Sequence, residues 1–480
     1  MSSTLKRFVK NTVILVFAKA LQPLITFYLI ITISREIGLA GFGAYSTIFK
    51  YVPIFGIIAG FGLRNLLTRE ISQNRHDAQK YVAAGSILAL LFAVFSAILM
   101  CVSVIFISDN ALVLKGVWIA SVSLLAIGLA DVYEGAISGF EQIKQVGYAL
   151  LAENLFRVGL SLLLIYFGFG IIAVVIVFVV GRFLRVTYFY LYLKRNFTNP
   201  LAGVDWKILR RLLRQAQTFA LIMLCVTIYW NLDGIMLESM RSAEEVGFYS
   251  VAYRFLALSM ILVHSYVSSL FPVIANFFKS AKEHFQTASR KSIRILILAT
   301  VPIAVLLSFL AEPIIVFLFS ETYGASADVL KILIWGLIPY SMTQIFAYAL
   351  VASDKQKIDL GINVLSMATN AILNFILIPV HGFMGASVAT LISIHVYVFL
   401  QIPFVIPKVI HVHFDEIVSY GLRILLATGA MALSLFFLEG QSLLLEIPIA
   451  LVVYLTGLFS LRLINQSDRQ LVYKLVGLAG

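Results

Sequence analysis

The chain has 480 residues and a net charge of +12, with 61% hydrophobic and only 12% charged residues. Soluble domains carry about 25% charged residues, so half that share, at a mean hydropathy of +0.97, excludes a soluble globular protein. Apolar runs of about 20 residues, enough to cross a bilayer, recur along the whole chain. It is a polytopic membrane protein, and in the absence of strand-like alternation its class is all-α, as lipid demands unless a barrel closes.

Fourteen membrane helices are predicted at residues 12–33, 43–63, 82–107, 113–137, 146–167, 171–193, 216–237, 246–271, 293–319, 327–351, 358–378, 382–406, 417–438 and 443–463. The first resembles a signal peptide, with Lys6, Arg7 and Lys10 ahead of it and Ala18-Lys19-Ala20 as a small-residue mimic of a cleavage site. The apolar run continues to Ile33, however, long enough to span. Cys101 and Cys225 both lie in apolar runs, with neither metal-ligand spacing nor a disulfide framework.

Loop charge sets the orientation. Of the 36 Lys and Arg, 28 fall on the side of the two termini and four (Arg35, Lys115, Arg241 and Lys331) on the other. Positive loops stay inside, so both termini are expected in the cytoplasm. Eight of the 28 belong to a basic connection over residues 182–214, Arg182 and Arg185 included. This placement accounts for the basic balance without nucleic acid as a partner. The other four cations, Lys19, Lys50, Arg157 and Arg254, fall within spans.

An internal repeat organises the chain. GAYSTIFKY at residues 43–51 aligns with GFYSVAYRF at residues 247–255, keeping Gly, Tyr, Ser and a cation in register. SGFEQIK at residues 138–144 pairs more loosely with VASDKQK at residues 351–357. The repeats are separated by an even number of spans, which implies parallel halves related by an axis along the membrane normal. The expected organisation is an N-terminal six-helix lobe over residues 1–200 and a C-terminal six-helix lobe over residues 201–412, around a central cavity. Two further helices follow over residues 413–480. Such lobes rock to open the cavity to each side in turn.

Helical spacing shows which polar residues share a face. Lys19, Gln22 and Thr26 do so in the first helix, as do Ser46 with Lys50, Ser250 with Arg254, and Asn363, Ser366, Asn370 and Asn374 in the eleventh. Lys19, Lys50 and Arg254 have no carboxylate three or four positions away, whereas Glu153 and Arg157 are spaced as a self-neutralising pair. The asparagines read as interhelical glue or as ligands, and Asp233 as an outer cap or a functional acid. Tyr28, Tyr45, Tyr229, Trp230, Tyr249 and Tyr253 fit an interfacial aromatic belt, or a surface for stacking sugars. A guanidinium in hydrocarbon costs several kcal/mol, about 3 on insertion scales, unless it meets a partner or a wet cavity. Lys50 and Arg254, duplicated in the two lobes with Lys19 beside them, therefore read as a binding site for an anionic cargo group.

Taken in order, IGLAGFGAYS (37–46), GLRNLLTREIS (62–72), AISGFEQ (136–142), LDGIMLESMRSAEEVGFYSVAYRF (232–255), LFSETYGASADVLKIL (318–333) and HGFMGASVATLIS (381–393) carry a resemblance along nearly the whole chain. The chain resembles the Wzx-type polysaccharide flippases of the multidrug/oligosaccharidyl-lipid/polysaccharide exporter superfamily. The resemblance implies a bacterial inner-membrane flippase that moves an undecaprenyl-pyrophosphate-linked oligosaccharide outward, for O-antigen or a related surface glycan. It implies that helices 1, 2, 7 and 8 line a cationic cavity, which fits Lys19, Lys50 and Arg254. It also implies membrane lipid and the polysaccharide polymerase and chain-length machinery as partners. No cofactor is expected beyond coupling to a proton or sodium gradient, and no residue identifies the ion. Lysine at position 50 gives less bidentate phosphate contact than an arginine would.

Two other classes share the gross features. A multidrug exporter of the same superfamily would favour acidic cavity residues, for which Asp233 is the one good candidate. A glycan polymerase or ligase usually carries a sizeable outer loop with catalytic residues, whereas every outer loop expected here is short. No catalytic triad, metal cluster or phosphate-cradling glycine loop is present in the sequence, so no catalytic residue is assigned.

Overall fold

A computed structural model of the chain describes residues 3–197, 199, 200, 203–410 and 414–463. The described elements are helices: α1 (Ser3–Gly60), α2 (Leu63–Gln73), α3 (Ala78–Ile107), α4 (Ala111–Ser121), α5 (Ser123–Gly139), α6 (Ile143–Tyr166), α7 (Ile171–Asn196) and α8 (Trp206–Met240), followed by α9 (Ala243–Ser280), α10 (Lys282–Phe309), α11 (Ala311–Phe319), α12 (Ser326–Leu333), α13 (Leu337–Ala352), α14 (Gln356–Val405), α15 (Phe414–Phe437) and α16 (Leu443–Ser460). No strand occurs among the described residues.

Two of these helices are each a pair of passes joined at one glycine. Gly38 breaks α1 with φ 76°, and Gly382 breaks α14 with φ 54°. Both angles lie in the left-handed region, where an L side chain is strained and glycine is not. Eleven stretches among the described residues are long and apolar enough to cross a membrane, the two broken ones being 52 and 50 residues long. Counted limb by limb, and with α8, the helices follow the fourteen expected segments. The protein is an all-α, multi-pass membrane protein.

Helices outlast several of the expected spans. The basic connection is largely helical, because α7 runs to Asn196 and α8 starts at Trp206, where the Asp205 carboxylate accepts from the amides of Lys207 and Ile208. The segment after residue 63 forms α2, whose buried Leu63, Leu66, Leu67 and Ile71 recur at helical spacing. Hydropathy alone does not show these amphipathic extensions.

By internal contact the chain divides into two compact units, Met1–Ser250 and Val251–Gly480. In the first, α5 packs against α1, α2, α3 and α7, around a core that includes Leu67, Val82, Ala126, Ala136, Phe189 and Leu212. In the second, α10 packs on α13 and α15, α13 on α14, and α15 on α16. Val305, Ala427, Met431, Tyr454 and Leu458 form a core there, and the Tyr454 hydroxyl donates to the carbonyl of Leu298 at 2.9 Å.

Candidate functional site

The first unit brings together distant parts of the duplicated stretch. Lys50, in the second limb of α1, has its Nζ 2.9 Å from Asp233 Oδ1 on α8, with side chains 11% and 3% exposed. The Tyr249 hydroxyl, on α9, donates to Asp233 Oδ2, and the Tyr249 ring lies 5.0 Å below Lys50 Nζ. Gly234 makes the room, since any side chain there would run into that of Lys50. Lys50 is thus neutralised by a residue 183 positions away, which corrects the expectation of a cation without a carboxylate. Asp233 is a buried acid rather than a solvated cap, and Tyr249 is fully buried instead of standing in an aromatic belt.

One turn nearer the end of α8, Glu238 is also buried. Its oxygens accept from Ser108 Oγ at 3.1 Å and Thr47 Oγ1 at 3.4 Å. Beside it the glycines of the repeat make a backbone clasp. A Cβ on Gly43 would overlap the carbonyl of Ala243, and one on Gly247 would lie 2.9 Å from the carbonyl oxygen of Leu39. The duplicated Ser46 and Ser250 are both buried at this level, 3% and 4% exposed.

Midway along α6 and α7 lies a second charged group. Glu153 pairs with Arg185 at 2.9 Å and Arg182 at 3.3 Å, and not with Arg157. Arg157 Nη2 instead donates to Thr26 Oγ1 at 2.9 Å and Asn154 Oδ1 at 2.8 Å. The spacing of Glu153 and Arg157 allowed a pair, but two arginines on α7, Arg185 buried and Arg182 partly buried, compete for the same carboxylate. Arg182 and Arg185, counted in the basic connection from sequence, are in fact interior to this unit. Gln22 meets the group through its carbonyl, which accepts from Asn154 Nδ2 at 3.4 Å.

Arg254 is a partly buried residue of α9 in the second unit. The side chain of Lys19 lies outside the described residues. In α14, Asn374 donates to Asn370 at 3.0 Å, Asn370 to Ser393 Oγ at 3.2 Å, and Ser366 to the Ser393 carbonyl at 2.7 Å. The two bonds to Ser393 join the two limbs of α14, as interhelical glue does; Asn363 is only partly buried. An apolar pocket of about 300 Å³ in the first unit is lined by Ile57, Phe61, Phe92, Phe95 and Leu224, a surface suited to hydrocarbon. The sequence reading passed over Glu238, Arg182 and Arg185, although each is a charged residue inside or at the edge of an apolar run.

The family whose sequence model is described as Polysaccharide biosynthesis protein matches residues 8–278, and a second model, MatE, matches residues 219–376. The chain is 24% identical over 417 residues to "Probable low-salt glycan biosynthesis flippase Agl15" of Haloferax volcanii, covering 86% of this chain and 82% of that protein. It is 22% identical over 395 residues to "Capsular polysaccharide biosynthesis protein CapF" of Staphylococcus aureus, covering 80% and 96% respectively. Among solved structures, the lipid II flippase MurJ in an inward closed conformation superposes with a TM-score of 0.78 at 17% identity, covering 93% of this chain and 98% of that one. That likeness establishes a shared fold.

Proposed function

The chain belongs to the polysaccharide biosynthesis protein family, and from that membership we propose that it is a flippase carrying a lipid-linked oligosaccharide across a bacterial inner membrane. The cargo is an undecaprenyl-pyrophosphate-linked unit of O-antigen or a related surface glycan. The observation that carries this reading is the amount of charge held inside apolar helices of the first unit. Lys50, Arg157, Arg182 and Arg185 are placed where only a functional anion or a precise set of counter-charges offsets the cost of burial. The names of the relatives, a glycan biosynthesis flippase and a capsular polysaccharide protein, support the same class of cargo.

In this account both termini are cytoplasmic and the α8–α9 turn is outside. Lys19 and Arg254 stand as further candidate cations for the anionic cargo group. The apolar pocket beside Phe61 and Phe92 suits a stretch of isoprenoid tail. Transport draws on a proton or sodium gradient, and the glycan passes on to polymerase and chain-length machinery. The chain acts as a transporter and performs no bond chemistry on its cargo. A drug exporter would need Asp233 free for a cationic substrate, and here Lys50 and Tyr249 hold it. The test is the leaflet on which the lipid-linked glycan resides in cells lacking the chain. Accumulation on the inner leaflet, reversed by re-expression, is expected; an unchanged distribution would exclude the flippase.

A further inference from the structure

Arg157, Arg182 and Arg185 each lie at least about 13 Å along the axis from either end of their helices, at about 1.5 Å per residue. Arg182 is within electrostatic reach of Arg185, Glu153, Arg157 and Asp131, and Asp131 in turn of Arg64 and Glu134. Arg64 and Glu134 pair with each other at 3.3 Å. That leaves three cations facing two acids, Glu153 and Asp131. Glu153 contacts Arg182 and Arg185, and Arg185 is only 8% exposed, with its Nε buried and without a hydrogen-bond acceptor. The surplus positive charge therefore resides on Arg157.

The bonding of Arg157 is one-sided. Both of its hydrogen bonds, to Thr26 on α1 and to Asn154 one turn back, leave from Nη2 and end on neutral oxygens. Three of the five donors of a guanidinium remain, Nε–H and the two of Nη1, with no acceptor among the described residues. The side chain is only partly buried, and neither nitrogen is among the enclosed, unsatisfied ones. An arginine that served packing alone would turn to Glu153, one helical turn away on its own helix. Instead Thr26 and Asn154 hold one nitrogen of the fork and leave the other two neither bonded nor enclosed.

We propose that Arg157, backed by Arg182 and Arg185, is a phosphoanion-binding site that receives the diphosphate of the lipid-linked cargo. The proposal rests on the flippase reading for the identity of the cargo, and on geometry alone for the site. Arginine suits phosphate oxygens because its planar donors match them and its charge is permanent. Thr26 and Asn154 fix the plane of the guanidinium before the ligand arrives, so little side-chain freedom is lost on binding.

The test is binding, measured on purified full-length protein in nanodiscs of zwitterionic lipid with inorganic pyrophosphate and with farnesyl diphosphate as probes. Saturable binding of pyrophosphate is expected, weakened at least about tenfold in Arg157→Gln, the size expected for a charge-assisted contact. It should stay unchanged in Lys80→Gln, a surface cation paired with Asp77. Tighter binding of farnesyl diphosphate than of pyrophosphate identifies a lipid headgroup as the ligand. Equal binding identifies a free anion and overturns that assignment. Should Arg157→Gln not fold, Arg157→Lys decides the matter: it keeps the charge, loses the planar fork, and is expected to weaken pyrophosphate at least about threefold. Equal affinity in wild type and in the folded variant, or no saturable binding at all, would overturn the site. Because this readout involves no transport, a protein that binds pyrophosphate through Arg157 yet moves no glycan keeps the site and loses the function. A flippase indifferent to Arg157→Gln keeps the function and loses the site's part in it.

Discussion

The glycine clasp between α1 and α9 makes a graded prediction. Alanine at Gly247 would place its methyl carbon 2.9 Å from the Leu39 carbonyl oxygen, about half an ångström inside the 3.4 Å at which ordinary contact begins. Alanine at Gly43 would overlap the Ala243 carbonyl oxygen outright and lie 2.5 Å from its carbon, so the backbones must part much further than at Gly247. Both obstacles are main chain and cannot rotate away. Overpacking of this kind costs about 1–3 kcal/mol, with Gly247→Ala near the low end and Gly43→Ala near the high end. If the clasp holds shut an opening that the transport cycle must form, the parted population rises about 5-fold in the first case and about 150-fold in the second. The assay is the rate at which a cysteine at Ser46, 3% exposed, reacts with a polar maleimide in nanodiscs, with Cys101 and Cys225 replaced. Labelling should accelerate in the order Gly43→Ala, Gly247→Ala, parent. Equal rates in folded variants would show that the close approach of these glycines closes nothing.

Four further outcomes can be checked directly. Asp233→Asn should lower thermal stability by about 3–5 kcal/mol, because Lys50 keeps a buried charge without its partner, and Lys50→Gln in the same chain should recover most of the loss. Glu153→Gln should reduce the yield of monodisperse protein, since it strands both Arg182 and Arg185. For orientation, a cysteine at Ser242 should react with an impermeant reagent in whole cells while one at Asn199 resists; the reverse would invert the topology. Arg254→Ala should abolish glycan export at normal protein levels, with Arg254→Lys retaining part of it, and full surface display in Arg254→Ala cells would remove this residue from the cargo path.

Much of the fold was legible in the sequence, because a span announces itself as some twenty apolar residues. The breaks at Gly38 and Gly382 were legible only as links, since hydropathy carries no information on φ. Sequence spacing exposes partners three or four residues apart and nothing beyond, so it suggested Glu153 with Arg157 and could not find Lys50 with Asp233. Glu153 went to α7 because the tertiary fold sets two more arginines against it. Those arginines were hidden by their position: they fall inside the expected span 171–193, yet standing at the head of a run of basic residues they look like the start of a basic loop until α7 is seen to hold them against Glu153. The asparagine stripe of α14 was legible as a shared face, and its partner, Ser393, belongs to the limb that folds back beyond Gly382.

Translocation in a reconstituted system tests the central claim most directly. Liposomes holding the purified protein and an undecaprenyl-diphosphate-linked oligosaccharide in both leaflets would be exposed to a membrane-impermeant glycosidase, with an ion gradient imposed. The protein should bring the inner pool to the surface, so that digestion passes the plateau expected of protein-free liposomes, in which only the outer leaflet is accessible. A plateau unchanged by active, correctly folded protein, under proton and sodium gradients alike, would contradict the account.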